Sequence, residues 1–163
     1  VSGRALFASL LDWPRHEDPL TSAWLAVNAI REWRGDTHWA IMTSENIDGT
    51  MAGILDNAKH DYDDQWLPRS RGADDAAISL AFKKLTERGL ADGEKVTTKG
   101  LEYREGLERK LNNIASAAWR NLGIDQTTQF LELIEPVGSR YMDHIDKTAG
   151  SKWMPAGREA KSK

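Results

Sequence analysis

A chain of 163 residues, 40% hydrophobic and 29% charged, is long enough to bury the core of one domain, and its composition excludes a disordered polymer. Cysteine is absent, which excludes disulfide-stapled scaffolds and thiolate metal sites and makes a cytoplasmic setting the expectation. The net charge of −3 is not that of a dedicated nucleic-acid binder, because phosphate neutralisation needs a clustered positive face.

In chain order, Arg4 to Leu11 reads as a short apolar helix that stops before Trp13-Pro14, and Pro14 to Asp18 as a polar linker. Asp18-Pro19 is a strong helix start, a capping carboxylate followed by a residue with no N–H to satisfy. Trp24, Val27 and Ile30 then make an amphipathic face, and Gly35 is expected to close this helix. Asp36 or Thr37 caps a following helix through Trp39, Ala40 and Met42. Asp48-Gly49 opens another, carrying Met51, Ile54 and Leu55. The polar stretch from Lys59 to Gly72 reads as a long loop.

Helical spacing returns after Asp74 or Asp75, with Ile78, Ala81, Phe82 and Leu85 on one face and Gly89 as the terminator. Leu90, Asp92-Gly93 and Val96 mark a small hairpin. Thr97 or Thr98 caps a long helix with Leu107, Leu111, Ile114, Ala118 and Leu122 on a stripe, ending near Gly123. A last helix from Asp125 carries Phe130, Leu131, Ile134 and Tyr141, with a kink expected at Pro136. The seven tryptophans are expected mostly in the core. Residues 1–146 form one domain in this reading, and residues 147–163 form a flexible basic tail with Lys147, Lys152, Arg158, Lys161 and Lys163. No apolar run has membrane-spanning length, so no membrane partner is expected.

The order helix, helix, helix, tight hairpin, long helix is that of a winged helix-turn-helix, mainly α, with the hairpin as wing and long flanking helices. The segment Lys84-Leu85-Thr86-Glu87-Arg88-Gly89-Leu90, then Asp92-Gly93, then Val96-Thr97-Thr98-Lys99-Gly100, resembles the MarR-type winged helix. There a helix ends in L-x-x-x-G-L, a short wing follows, and L-T-x-x-G opens the dimerisation helix. Glycine closes the helix, apolar residues anchor both wing strands and threonine caps the next helix. Arg31-Glu32-Trp33-Arg34-Gly35-Asp36-Thr37-His38 is also similar to the R-E-H-R-G-D-G-H of an actinobacterial family that carries such a helix-turn-helix domain, as are Asp18-Pro19-Leu20, Trp24 and Ile47-Asp48-Gly49. Similarity runs from about Arg4 to Leu133. Family members carry a further helical region ahead of this stretch, so the resemblance implies a short member or the C-terminal part of a longer one. It implies a fold and no particular activity.

As a regulator of transcription, the domain would dimerise through its terminal helices and touch duplex DNA with Ser79, Lys83, Lys84, Arg88, Lys95 and Lys99. Two features count against this: the long 59–72 segment between the candidate helices, and the acidic Asp74, Asp75, Glu87, Asp92 and Glu94 interspersed with the basic residues. The alternative is a winged helix repurposed to bind a small-molecule effector or a protein partner. Arg34, Asp36, His38 and Trp39 are the ligand-binding candidates there, since Arg34 offers a fork for a carboxylate or phosphate and His38 a proton-transfer group. The plainer reading of the same residues is a helix cap and an ion pair. Likewise, Leu107 to Leu122 pairs across a dimer axis or packs on the domain's own first helices. His60-Asp61-Tyr62-Asp63-Asp64 matches no metal loop and reads as a solvated acidic stretch. No nucleophile elbow, phosphate-binding glycine loop or paired acid and base stands out, so neither an enzyme nor a cofactor is expected.

Overall fold

The computed structural model describes residues 2–154, so the distal part of the expected basic tail lies outside the described residues. The chain divides into two compact units between Ala118 and Trp119. The first holds α1 (Ala5–Leu11), α2 (Pro19–Ser44), α3 (Gly49–Lys59), a 3-10 turn (Asp63–Gln65), α4 (Trp66–Ser70), α5 (Asp75–Glu87), β1 (Ala91–Asp92), β2 (Lys95–Val96) and α6 (Thr98–Ala115). A short α7 (Ala117–Leu122) spans the division, and α8 (Ile124–Thr148) follows in the second unit.

Local chemistry explains most helix starts. The carboxylates of Asp18, Asp48 and Asp74 and the hydroxyl of Thr97 each accept a backbone N–H three residues on, opening α2, α3, α5 and α6. Gly89, at φ +69°, closes α5. The hairpin pairs Ala91 with Val96 and Asp92 with Lys95 around Gly93 and Glu94. Its Thr97 N–H donates to the Leu90 carbonyl at 3.0 Å, which ties the second strand to the end of α5.

The core of the first unit is a mainly aliphatic cluster with α3 at its centre. Met51, Ile54 and Leu55 are almost fully buried and cluster with Ile41 and Met42 of α2, Phe82 and Leu85 of α5, and Leu107 and Leu111 of α6. Leu107 and Leu111 therefore pack on the domain's own helices and are not free to line a dimer axis.

Five other expectations are corrected. Gly35 does not end a helix: α2 runs on to Ser44 and is closed by Asn46 at φ +52°, where the Ile47 N–H donates to the Met42 carbonyl. Asp36 and Thr37 are not caps of a new helix, because both are taken up by α1. The Asp36 carboxylate accepts the N–H groups of Leu6 and Phe7 at 3.2 and 2.9 Å, and Arg4 donates to the Thr37 hydroxyl and the Trp33 carbonyl. The Arg4 guanidinium also lies over the Trp33 ring, and Phe7 meets that ring edge-on.

Third, the tryptophans stay out of the core. Trp33, Trp66 and Trp119 are half-buried, and Trp13, Trp24, Trp39 and Trp153 are exposed. The Trp24 and Val27 face of α2 is exposed with them, since the buried residues of α2 are Thr37, Ile41 and Met42. Fourth, the stretch from 59 to 72 is not a loop but contains the 3-10 turn and α4. Fifth, the long helix expected up to Gly123 breaks at Ser116, while α8 continues from Ile124 to Thr148 with Pro136 inside it.

Gly100 packs where no side chain fits. A Cβ there would overlap the Leu90 carbonyl oxygen and stand 2.7 Å from the Val96 side chain. Gly106, in the same helix, has only the tip of Arg109 nearby, at 3.8 Å. Gly100→Ala should lower stability by about 1–3 kcal/mol through overpacking. Gly106→Ala should raise it by about 1 kcal/mol through helix propensity. Urea unfolding of the two variants reads these opposite signs.

Candidate nucleic-acid interface

The exposed side of α5 is prepared by the segment before it. Asn57, buried in α3 at 2% exposure, donates from Nδ2 to the Tyr62 carbonyl at 2.7 Å and accepts the Leu67 N–H at 3.0 Å. One amide thus closes the α3–α4 connection at both ends. Gly53 admits α4 to α3, since a Cβ there would stand 3.1 Å from the Pro68 side chain. Beyond α4, the Arg71 and Ala73 N–H groups both donate to the Pro68 carbonyl and that of Gly72 donates to Arg69, with Gly72 at φ +91°. Asp74 then caps α5, accepting the Ala77 N–H at 2.8 Å. The result is a short helix, a four-residue turn (71–74) and a thirteen-residue helix.

Arg69 spans that turn, pairing with Asp75 at 2.6 Å and donating from Nε to the Asp64 carbonyl at 2.8 Å. Beside it is a polar cleft of about 530 Å³, lined in part by Asp64, Gln65, Asp75, Ser79 and Glu94. The N-terminal end of α5 is consequently acidic, and the Arg69 guanidinium beside it is already paired.

With Ile78, Ala81, Phe82 and Leu85 buried, the 100° step of a helix sets Ala76, Leu80, Lys83 and Glu87 opposite the core. All four are exposed, and Ser79 is exposed on the flank. Lys83 and Lys95, the latter on β2, are exposed and carry no ion pair among the described residues. Lys99, in the first turn of α6, reaches the Arg88 carbonyl at 3.4 Å.

The other two predicted contacts are engaged within the protein more closely still. Lys84 pairs with Asp48, the cap of α3, at 2.8 Å. Arg88 donates to the Glu45 carbonyl at 3.2 Å and to the Tyr103 hydroxyl at 3.0 Å, with its guanidinium over the Tyr103 ring. The Tyr103 hydroxyl in turn donates to the Glu45 carboxylate at 3.1 Å. Sequence reasoning missed α4, Asn57 and Leu80. Counting 100° steps away from the Ile78 stripe would have found Leu80.

The four candidates around Gly35 do not converge. Asp36 and Trp39 face α1, where they line a shallow groove of about 630 Å³ with Arg4, Ala8, Ala40 and Thr43. Arg34 lies on the other side of α2 and pairs with Glu108 of α6 at 2.6 Å. His38, one turn along from Arg34, is half-buried and its ring meets that of Trp39 edge-on. Burial, then the positive charge of Arg34, holds the His38 pKa below 6.5, with Glu108 opposing. Among the described residues no cluster of three or more side chains is arranged to hold a metal ion, and His60 stacks on Tyr62. No helix of the described residues is long and apolar enough to cross a membrane.

Because the folded protein disfavours protonated His38, the contribution of this residue to stability is present above pH 6.5 and is lost as pH falls below that value. Thermal melts between about pH 7 and pH 5, above the usual carboxylate range, should show a falling midpoint. His38→Gln should flatten that slope, and an unchanged slope in the variant would refute the assignment.

A helix-turn-helix family matches the chain over residues 1–147. No curated protein and no solved structure matches it.

Proposed function

The chain belongs to this helix-turn-helix family; from that premise we propose that it is a MarR-like winged-helix regulator that binds duplex DNA. In this reading α5 is the recognition helix and the β1–β2 hairpin is the wing. The observation that carries the reading is the four-residue turn between α4 and α5, the spacing of a working helix-turn-helix, with the face of α5 opposite the core fully open. Ser79 and Lys83 on α5, Lys95 on the wing and Lys99 at the start of α6 make the contacts. Lys84 and Arg88 orient α5 through Asp48, Glu45 and Tyr103 rather than reaching for phosphate.

Few free cations and the acidic end of α5 make non-specific binding weak, with a modest salt slope set by the few phosphates neutralised. Fluorescence anisotropy with a labelled duplex in about 50 mM salt should detect binding, and raising the salt should abolish it. Lys83→Glu and Lys95→Glu should each weaken binding and shallow the log–log salt dependence by about 0.9. Failure of the intact protein to bind any duplex at low salt would refute the proposal.

A single recognition helix covers few base pairs, and regulators of this architecture double it by two-fold symmetry. On α8 the apolar Ile134, Val137 and Tyr141 fall along one stripe and are 38%, 47% and 58% exposed. This supports a homodimer formed through α8. Light scattering should return twice the 18.3 kDa chain mass, and Val137→Glu should return the monomer mass with helix content unchanged.

A further inference from the structure

The summit of the open face of α5 is not uniformly polar. Its first two residues, Ala76 and Leu80, are apolar, and its last two, Lys83 and Glu87, are charged. Leu80 is 53% exposed, while its neighbours Ala81 and Phe82 are buried at 2% and 4%. Leu80 therefore contributes little to the core, although it sits at the middle of the helix.

Its surroundings distinguish it from the other exposed apolar residues. Ser79 stands beside it, and Lys83, one turn along, is the exposed cation of the helix with no ion pair among the described residues. Leu80 is thus an exposed branched apolar side chain, with Ala76 one turn before it, on a strip that becomes charged from Lys83 onward. That pattern suits the major groove, where the thymine 5-methyl is the one apolar mark on the base edges and phosphates flank it. An α-helix fits that groove, and residues four apart on it are about 6 Å apart along the axis, close to two base-pair steps.

We propose that Leu80, with Ala76 one turn before it, reads thymine 5-methyl groups in the target duplex, so that the preferred site carries thymine under the first half of α5. Lys83 then meets the guanine edge or phosphate next along. The inference rests on α5 being the recognition helix, and it adds the base that the helix selects.

The test uses the full chain and a duplex selected by it from a randomised pool. Each thymine of the selected site is replaced in turn by deoxyuridine, which removes only the methyl group. At one or two positions this substitution should weaken binding by about fourfold, the effect of one buried methyl-sized group. Leu80→Ala should bind the thymine duplex more weakly and lose the distinction from deoxyuridine, with an unchanged melting temperature because the side chain lies outside the core. A selected site indifferent to deoxyuridine at every position would overturn this inference and leave the DNA-binding reading standing. So would an unaltered methyl preference in Leu80→Ala. If no duplex is enriched or bound at all, both fall together.

Discussion

One eleven-residue helix, α3, has to satisfy several neighbours at once, and the first unit is arranged around how it does so. Met51, Ile54 and Leu55 belong to the cluster shared with α2, α5 and α6, and Gly53 leaves room for Pro68 of α4. Polar groups on the same helix fix direction where apolar packing alone would allow sliding. Asp48 uses one carboxylate oxygen to cap α3 and the other to hold Lys84 of α5. Asp56 accepts two nitrogens of Arg104 from α6, at 2.6 and 3.1 Å. Asn57 closes the connection to α4. The position of α5 is thus set from α3 by an ion pair, a buried amide and a shared core.

In the proposed reading, that arrangement is how a chain of net charge −3 would meet a polyanion. Basic residues near α5 differ in how far they are already bound. Lys84, Arg88 and Arg69 are spent within the protein on Asp48, Glu45, Tyr103 and Asp75, and they hold the helix and its preceding turn in place. Lys83 and Lys95 face solvent and carry no ion pair among the described residues, while Lys99 touches the Arg88 carbonyl. A count of charges along the sequence treats them all alike and reads the region as balanced. The structure separates anchoring cations from free ones, and the free ones are the basis of the proposed interface.

Much of the fold was legible because its signals are local. The Asp18, Asp48, Asp74 and Thr97 caps, the Ile78 to Leu85 stripe and the hairpin at Asp92-Gly93 each need only a few consecutive residues to act. What escaped were features decided by distant partners. Gly35 reads as a helix end, but α1 occupies Asp36 and Thr37, so no new helix starts there and α2 absorbs the glycine at a cost of about 1 kcal/mol. The five residues of α4 are too few to display a period, and their support comes from Asn57 and Gly53 on another element. Aromatic content suggested a tryptophan-rich core, yet the cluster shared by α2, α3, α5 and α6 is filled by aliphatic side chains and Phe82, with the tryptophans outside it. The candidate interface was half legible: the residue types on α5 were found, but not which of its cations are already bound.

The attachment of α1 has a consequence for how the unit opens. None of its side chains is fully buried, and it is held by the Arg4 guanidinium over Trp33, the Asp36 carboxylate on two amides, and Phe7 against the same indole. Those contacts lie outside the aliphatic cluster around α3. Fraying of α1 is therefore a sub-global event, with a free energy well below that of global unfolding. Amides in this helix would exchange with solvent deuterium long before those of α3 or α5. On that footing the aliphatic cluster would open as one block after its N-terminal helix, and the indole of Trp33, covered by Arg4 and Phe7, would report when that helix lifts.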